Sequence, residues 1–246
     1  MIYLFLFLIG TIFASFLIAT SYRLNKQMKW KDIFFSRSMC DSCEKTLSWY
    51  ELIPVFSYMF LKGKCRKCRK DIPLIYTLSE ILLGIAFVLI YISWGVNIWF
   101  YAVVCILFSL SYFDYISKTI PAFLTNILLA IGVIYFAFHY STLQFITIGI
   151  GVGISVFLLV LNRIKGSFGF GDILIFFAFS FILPTQLFIT FLLLTIYLSA
   201  IYAIGMVIKN RKNLKTYIPL LPFITLAFLL APIVEKYFVE YIFSLW

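Results

Sequence analysis

The stretch GFGDILIFFAFSFIL, residues 169–183, sets a carboxylate, Asp172, at the mouth of an apolar segment that otherwise reads as membrane. An ionised Asp in hydrocarbon costs several kcal/mol, by contested estimates about 2.5 to more than 10, so sequences rarely keep one there without a use. Gly169 and Gly171 permit close backbone approach at a bent helix entry, where something must reach the Asp side chain. A local reading competes with this one, because Asp is a common N-cap and a G-x-G-D turn can serve as such a cap. On this stretch alone both stand.

The chain around it has 246 residues, is 63% hydrophobic and contains 29 Phe, with a mean hydropathy of +1.05. Soluble domains are about half apolar, so the composition excludes a soluble globular enzyme and implies an all-α polytopic membrane protein. Eight apolar runs, about 2–22, 74–93, 97–116, 120–138, 144–162, 171–183, 185–207 and 217–234, predict about eight transmembrane helices. The first run has no basic region before it and is long enough to span, so it reads as an anchor and not as a cleavable signal.

A formal charge of +10 would suggest nucleic acid in a soluble protein. Here the placement of the charges matters more, since cytoplasmic loops collect Lys and Arg. Nineteen of the 20 basic residues fall on alternate connections: twelve in 23–73, then Lys118, then Arg163 and Lys165, then Lys209, Arg211, Lys212 and Lys215. Both termini are therefore expected outside the cytoplasm, with 23–73 as a cytoplasmic domain between helices 1 and 2, and no nucleic-acid partner. The organisation expected is a first helix at 1–22, the loop domain at 23–73 and a seven-helix membrane domain at 74–246. Asp114, at the end of the third run, and Asp172, at the start of the sixth, then fall on the same membrane boundary.

The loop carries Cys40-x-x-Cys43 and Cys65-x-x-Cys68. Two such knuckles match a four-thiolate structural zinc site; an iron–sulfur centre or disulfides are the alternatives, the latter disfavoured by a reducing cytoplasm. Cys105, mid-span, reads as a small buried hydrophobe.

Two carboxylates sharing a site suggest aspartic protease chemistry, in which repulsion keeps one protonated and one ionised. Structural acids, with Asp114 bonded to Lys118 four residues on, or an ion path remain open on spacing alone. Glu80 is a third intramembrane acid, either a partner for a buried hydroxyl or base or a contributor to chemistry. His139 reads as structural, and Gly149, Gly151 and Gly153 as a surface for close helix packing.

Taken together these residues resemble the type IV prepilin peptidases, bifunctional leader peptidases and N-methyltransferases of the GxGD-type intramembrane aspartic proteases. The resemblance runs through Gly10, Ser15-Phe16, Arg23-Leu24, Arg37-Ser38-x-Cys40-x-x-Cys43, Pro54, Ser57, Leu61-Lys62-Gly63-Lys64-Cys65-Arg66-x-Cys68, Tyr76 and Glu80. Phe113-Asp114 with Ile120-Pro121 and Leu124-Thr125 is similar to the first catalytic motif, Gly169-Phe170-Gly171-Asp172 to the second, and Pro219-x-x-Pro222-Phe223 to the proline motif before the last span. It departs where Asp41, Ala122 and Leu174 replace a proline, an acid and a base that the family commonly has.

The resemblance implies catalytic Asp114 and Asp172, supported by Gly169, Gly171 and less directly Glu80. It implies prepilin or pseudopilin substrates of pilus, competence or type II secretion systems, and a bacterial cytoplasmic membrane location. It also implies methyl transfer from S-adenosylmethionine, associated with 23–73. The basic loop is expected against anionic lipid headgroups. A peptidase-only relative and a transporter with paired acids are the rival readings.

Overall fold

A computed structural model describes residues 1–40, 42–139, 141–165, 169–209 and 218–244; Asp41, Arg211, Lys212, Lys215 and Tyr217 lie outside the described residues. Each predicted apolar run holds a helix among the described residues. In chain order the helices are α1 (Ile2–Asn25), the short α2 (Trp30–Phe35) and α3 (Phe56–Phe60) of the loop, α4 (Leu74–Trp94), α5 (Ile98–Ser117), α6 (Ala122–His139), α7 (Thr142–Lys165), α8 (Phe170–Ile182), α9 (Thr185–Lys209) and α10 (Leu221–Ser244). Among the described residues there is no strand, only two isolated bridges, Met39 with Thr46 and Lys64 with Asp71.

Among the described residues six helices, α1, α4, α5, α6, α7 and α9, are long and apolar enough to cross a membrane, which makes this a multi-pass membrane protein. Helix-incompatible residues set their limits: Pro73 stands just before α4, Gly95 with φ 65° just after it, and Pro121 just before α6. The exception in length is α8. Its 13 residues rise only about 20 Å, against a hydrocarbon layer of about 30 Å.

The chain forms two compact units, Met1–Tyr101 and Ala102–Trp246. In the first, α1 packs along α4 at a point where neither helix has a side chain. A Cβ on Gly10 would sit 2.8 Å from the Gly84 Cα, and one on Gly84 would strike the Phe7 ring at 2.7 Å. Small residues let helices approach this closely where lipid supplies no hydrophobic drive for association. Phe13 with Phe87 and Tyr3 with Tyr91 flank the contact, at ring separations of 5.8 and 5.7 Å.

The second unit is built around α8, which after its first turn is apolar on nearly every face and largely buried from Ile173 to Ile182, as a core helix must be. It packs against α6 and α7, and its Phe179 meets Phe191 of α9 at 4.6 Å and Phe228 of α10 at 5.3 Å. Gly132 on α6 makes room for the Ala178 carbonyl, 2.9 Å from where a Cβ would stand, and Gly151 on α7 for the Ser180 side chain. Of the three alternating glycines of α7, only Gly151 thus serves close packing; Gly149 and Gly153 would place a Cβ in open space, because they point away from α8. His139 ends α6 stacked on Tyr135 at 4.5 Å. Cys105 is half-buried, not enclosed.

Replacing Gly84 by Val is expected to force α1 and α4 apart and to lower the stability of the detergent-solubilised protein by about 1–3 kcal/mol, the usual cost of overpacking. Gly149→Ala, with nothing to strike, is expected to leave the thermal melt undiminished.

Candidate active site and metal centre

Asp114 lies in the last turn of α5 and is only 1% exposed. A carboxylate so buried needs partners, and its Oδ2 accepts the backbone N–H of Leu221 at 3.0 Å. Leu221 is the first residue of α10, so the acid meets one of the amides that every helix start leaves unbonded, at the positive end of the helix dipole. One turn back the same two helices are joined again, by a 2.8 Å hydrogen bond between the hydroxyls of Ser111 and Thr225. Thr225 also donates to the Leu221 carbonyl at 2.9 Å. The start of α10 is thereby fixed against the end of α5.

Asp172 is not the N-cap of α8. Gly169 holds that position, and Asp172, three residues on, reaches back so that its Oδ2 accepts the Gly169 N–H at 3.3 Å, one half of a capping box. The local reading therefore accounts for one oxygen. The other, Oδ1, is buried and has no hydrogen-bond partner. Gly171 explains how the helix start comes this close: a Cβ there would lie 2.8 Å from Ile120 Cγ2, in the short connection after α5. The start of α8 thus comes against the connection that follows α5, the helix whose last turn holds Asp114.

Glu80, on α4, belongs to the first unit. Its Oε2 accepts the Val55 N–H at 2.8 Å, a backbone group of the loop that sequence patterns do not mark.

The four cysteine sulfurs lie within 4.8 Å of one another, with Cys40 and Cys68 at 3.9 Å and Cys43 and Cys65 at 4.0 Å. A disulfide needs about 2.05 Å, whereas a tetrahedral ion with metal–sulfur bonds of about 2.3 Å sets its ligands about 3.8 Å apart. The sulfurs thus sit close to a tetrahedral cage, and the donor set fits zinc. Each pair comes from the same hairpin built twice. Cys40 N–H bonds Lys45 O as Cys65 N–H bonds Lys70 O, Leu47 N–H bonds Ser38 O as Ile72 N–H bonds Gly63 O, and Glu44 and Arg69 take matching positive φ of 52° and 57°. N–H groups of Cys68 and Lys67 push the Cys65 thiol down to about 6. The Lys70 N–H acts the same way on Cys68, but burial and the neighbouring sulfurs outweigh it and push that thiol up to about 11. Four thiolates this close repel unless a cation lies among them.

Glu51, unnoticed in the sequence, braces the first hairpin. Its side chain is 2% exposed, pairs with Lys45 at 3.0 Å and accepts the Ser48 N–H at 2.9 Å. That N–H bond first, and the Lys45 charge with it, hold its carboxyl below the usual range against the opposing effect of burial.

Comparison with known proteins divides the chain similarly. The model of the Bacterial Peptidase A24 N-terminal domain matches residues 8–94, and that of the Type IV leader peptidase family matches 100–204, which includes both aspartates. The Prepilin leader peptidase/N-methyltransferase of Bacillus subtilis is 28% identical over 235 residues, 92% of each chain. The protein of that name from Vibrio cholerae is 35% identical over 143 residues, 54% of this chain and 56% of its own. The Type 4 prepilin-like proteins leader peptide-processing enzyme of Escherichia coli is 33% identical over 152 residues, 57% of this chain and 56% of its own; the last two alignments thus span little more than half of each relative. No solved structure matches.

Two outcomes are expected. Elemental analysis of the purified protein should find zinc bound to the wild type and lost on Cys65→Ser. For Glu51, whose folded pKa is lowered, the ionised form stabilises the fold above its free value of about 4.3, and this is lost as pH falls through the folded value. The melting-temperature gap between wild type and Glu51→Gln should therefore stay constant from about pH 8 to 5 and shrink below about pH 4.

Proposed function

The chain belongs to the type IV leader peptidase family, and on that premise we propose that it is a membrane aspartic endopeptidase that removes the leader from prepilins or pseudopilins and N-methylates the new terminus. The observation that supports the peptidase reading is the approach of Gly171, beside Asp172, to Ile120 in the connection after α5, the helix whose last turn holds buried Asp114, with one buried oxygen of Asp172 left without a partner.

The roles follow from the partners. Asp114, already accepting the Leu221 N–H, is the ionised member; Asp172, with its unpartnered oxygen, carries the shared proton. Asp114 takes a proton from water as the water oxygen bonds to the scissile carbonyl carbon, while Asp172 gives its proton to the carbonyl oxygen. The resulting diol collapses: the C–N bond breaks, the leaving nitrogen receives the proton that Asp114 took, and Asp172 recovers its own. Gly169 and Gly171 serve by letting the start of α8 close on the connection after α5. Metal has no part in this sequence. Cys40, Cys43, Cys65 and Cys68 hold zinc as a brace for the loop, since four thiolates leave no open position.

For the second reaction, S-adenosylmethionine supplies an electrophilic methyl group. There the freed amine, once it has released a proton to solvent, would be the nucleophile that accepts this group. The charge alternation supports a cytoplasmic face for 23–73 and the outside for both termini, in a bacterial cytoplasmic membrane. Exposed Trp30, Phe35, Trp49 and Phe60, interleaved with the basic residues, suit an interface with anionic headgroups.

Co-expression with a prepilin-like substrate in membranes tests the dyad. Asp114→Asn and Asp172→Asn keep side-chain size but cannot cycle a proton, and each is expected to slow leader release by at least about 10²-fold. Leader release by both variants at the wild-type rate, with the protein retained in the membrane, would remove the aspartates from the chemistry.

A further inference from the structure

Asp172 stands in the first turn of α8, and the opposite end of that helix is pinned to α7. Gln144, in the first turn of α7, is 9% exposed, and its Nε2 group donates to Phe181 O and to Leu183 O, each at 3.1 Å. Phe181 lies in the last turn of α8, whose carbonyls lack donors within the helix, and Leu183 lies just beyond it. Pro184 comes next and has no N–H to offer. An unmet carbonyl in a bilayer is costly, so the buried amide answers a need that an apolar side chain could not meet. Thr147 and Gly151 follow on the same face of α7. The hydroxyls of Thr147, which is wholly buried, and Thr185, the first residue of α9, lie 2.6 Å apart, and Gly151 admits the Ser180 side chain. This seam joins α7 to the end of α8 and to the turn that follows.

We propose that Gln144 is a positioning residue for bond cleavage: by holding the far end of α8 it sets where Asp172 lies along the helix axis; this rests on the aspartic peptidase reading above. Phe181 is nine residues from Asp172, about 14 Å at the usual helical rise. A continuous hydrogen-bonded helix of that length moves as a rod, so what fixes one end along the axis fixes the other. Apolar contacts do this poorly, because burial is non-directional, whereas a hydrogen bond holds both a distance and an angle. The shortness of α8 makes such an anchor necessary. A full-length span is located by polar groups at both membrane faces, and a helix of 13 residues reaches only one of them at a time. Gln144 thus touches no reacting atom and acts entirely through the helix that carries Asp172.

The test compares the full-length, zinc-loaded protein in detergent micelles with Gln144→Met, which keeps the length of the side chain but cannot donate. Amide hydrogen exchange is followed at residues 169–172 and 181–185, and kcat and KM are measured on a prepilin-like substrate. Faster exchange at both ends of α8 is expected, with kcat lowered at least about tenfold and KM changed by less than about twofold, as for a group displaced from its reacting position. Exchange that rises at 181–185 alone would overturn the assignment, since Gln144 would then be a local cap; so would a wild-type kcat, or a lowered kcat with 169–172 protected as in the wild type. If Gln144→Met raises exchange over the whole chain, Thr147→Val, which keeps its shape and loses only the hydroxyl bond to Thr185, is read by the same criteria. A wild type that leaves the substrate uncut sinks the peptidase reading, and exchange at 169–172 then still decides whether Gln144 holds the start of α8.

Discussion

The hydrogen bond from the Leu221 amide to Asp114 is the contact on which the second unit depends. A nearly inaccessible carboxylate in an apolar bundle would otherwise force either its own neutralisation or the entry of water. The start of α10 supplies a donor that no side chain need provide, and the Ser111–Thr225 bond keeps it in place. This explains the two prolines at 219 and 222: a helix that must begin at a particular residue is well served by residues that cannot continue one backwards. The same bond makes the two acids unequal. One has a fixed donor; the other keeps a buried oxygen without a hydrogen-bond partner.

The first unit meets a similar difficulty by different means. Its loop is too short and too basic to bury a sizeable core, so it relies on four sulfurs, one inward-turned Glu51 and a grip from the α4 carboxylate. Small domains of this kind commonly draw their stability from a metal because burial alone is insufficient. Removing any one element would loosen the others.

Much of this was legible beforehand because membranes make sequences blunt. Apolar runs announce the helices, and a charge among them is conspicuous, which is why Asp114 and Asp172 stood out although the intervening chain is long. The paired knuckles were equally plain, since ligand spacing is fixed by the turn. What stayed hidden was carried by backbone. The Leu221 amide has no letter of its own, and Val55 occupies a turn that its β-branched side chain disfavours. Nor could periodicity say that the shortest helix, α8, would be the central one, or that Gly151 would matter where Gly149 and Gly153 do not: both depend on which face meets a neighbour.

The brevity of α8 has a consequence for supply. Hydrolysis consumes a water molecule for every bond cut, and oil delivers almost none. A helix about 10 Å shorter than the hydrocarbon layer cannot seal its own column of membrane. With Asp172 in its first turn, a shortfall on that side would leave the acid nearer to the bulk water that hydrolysis consumes than a full-length span would allow.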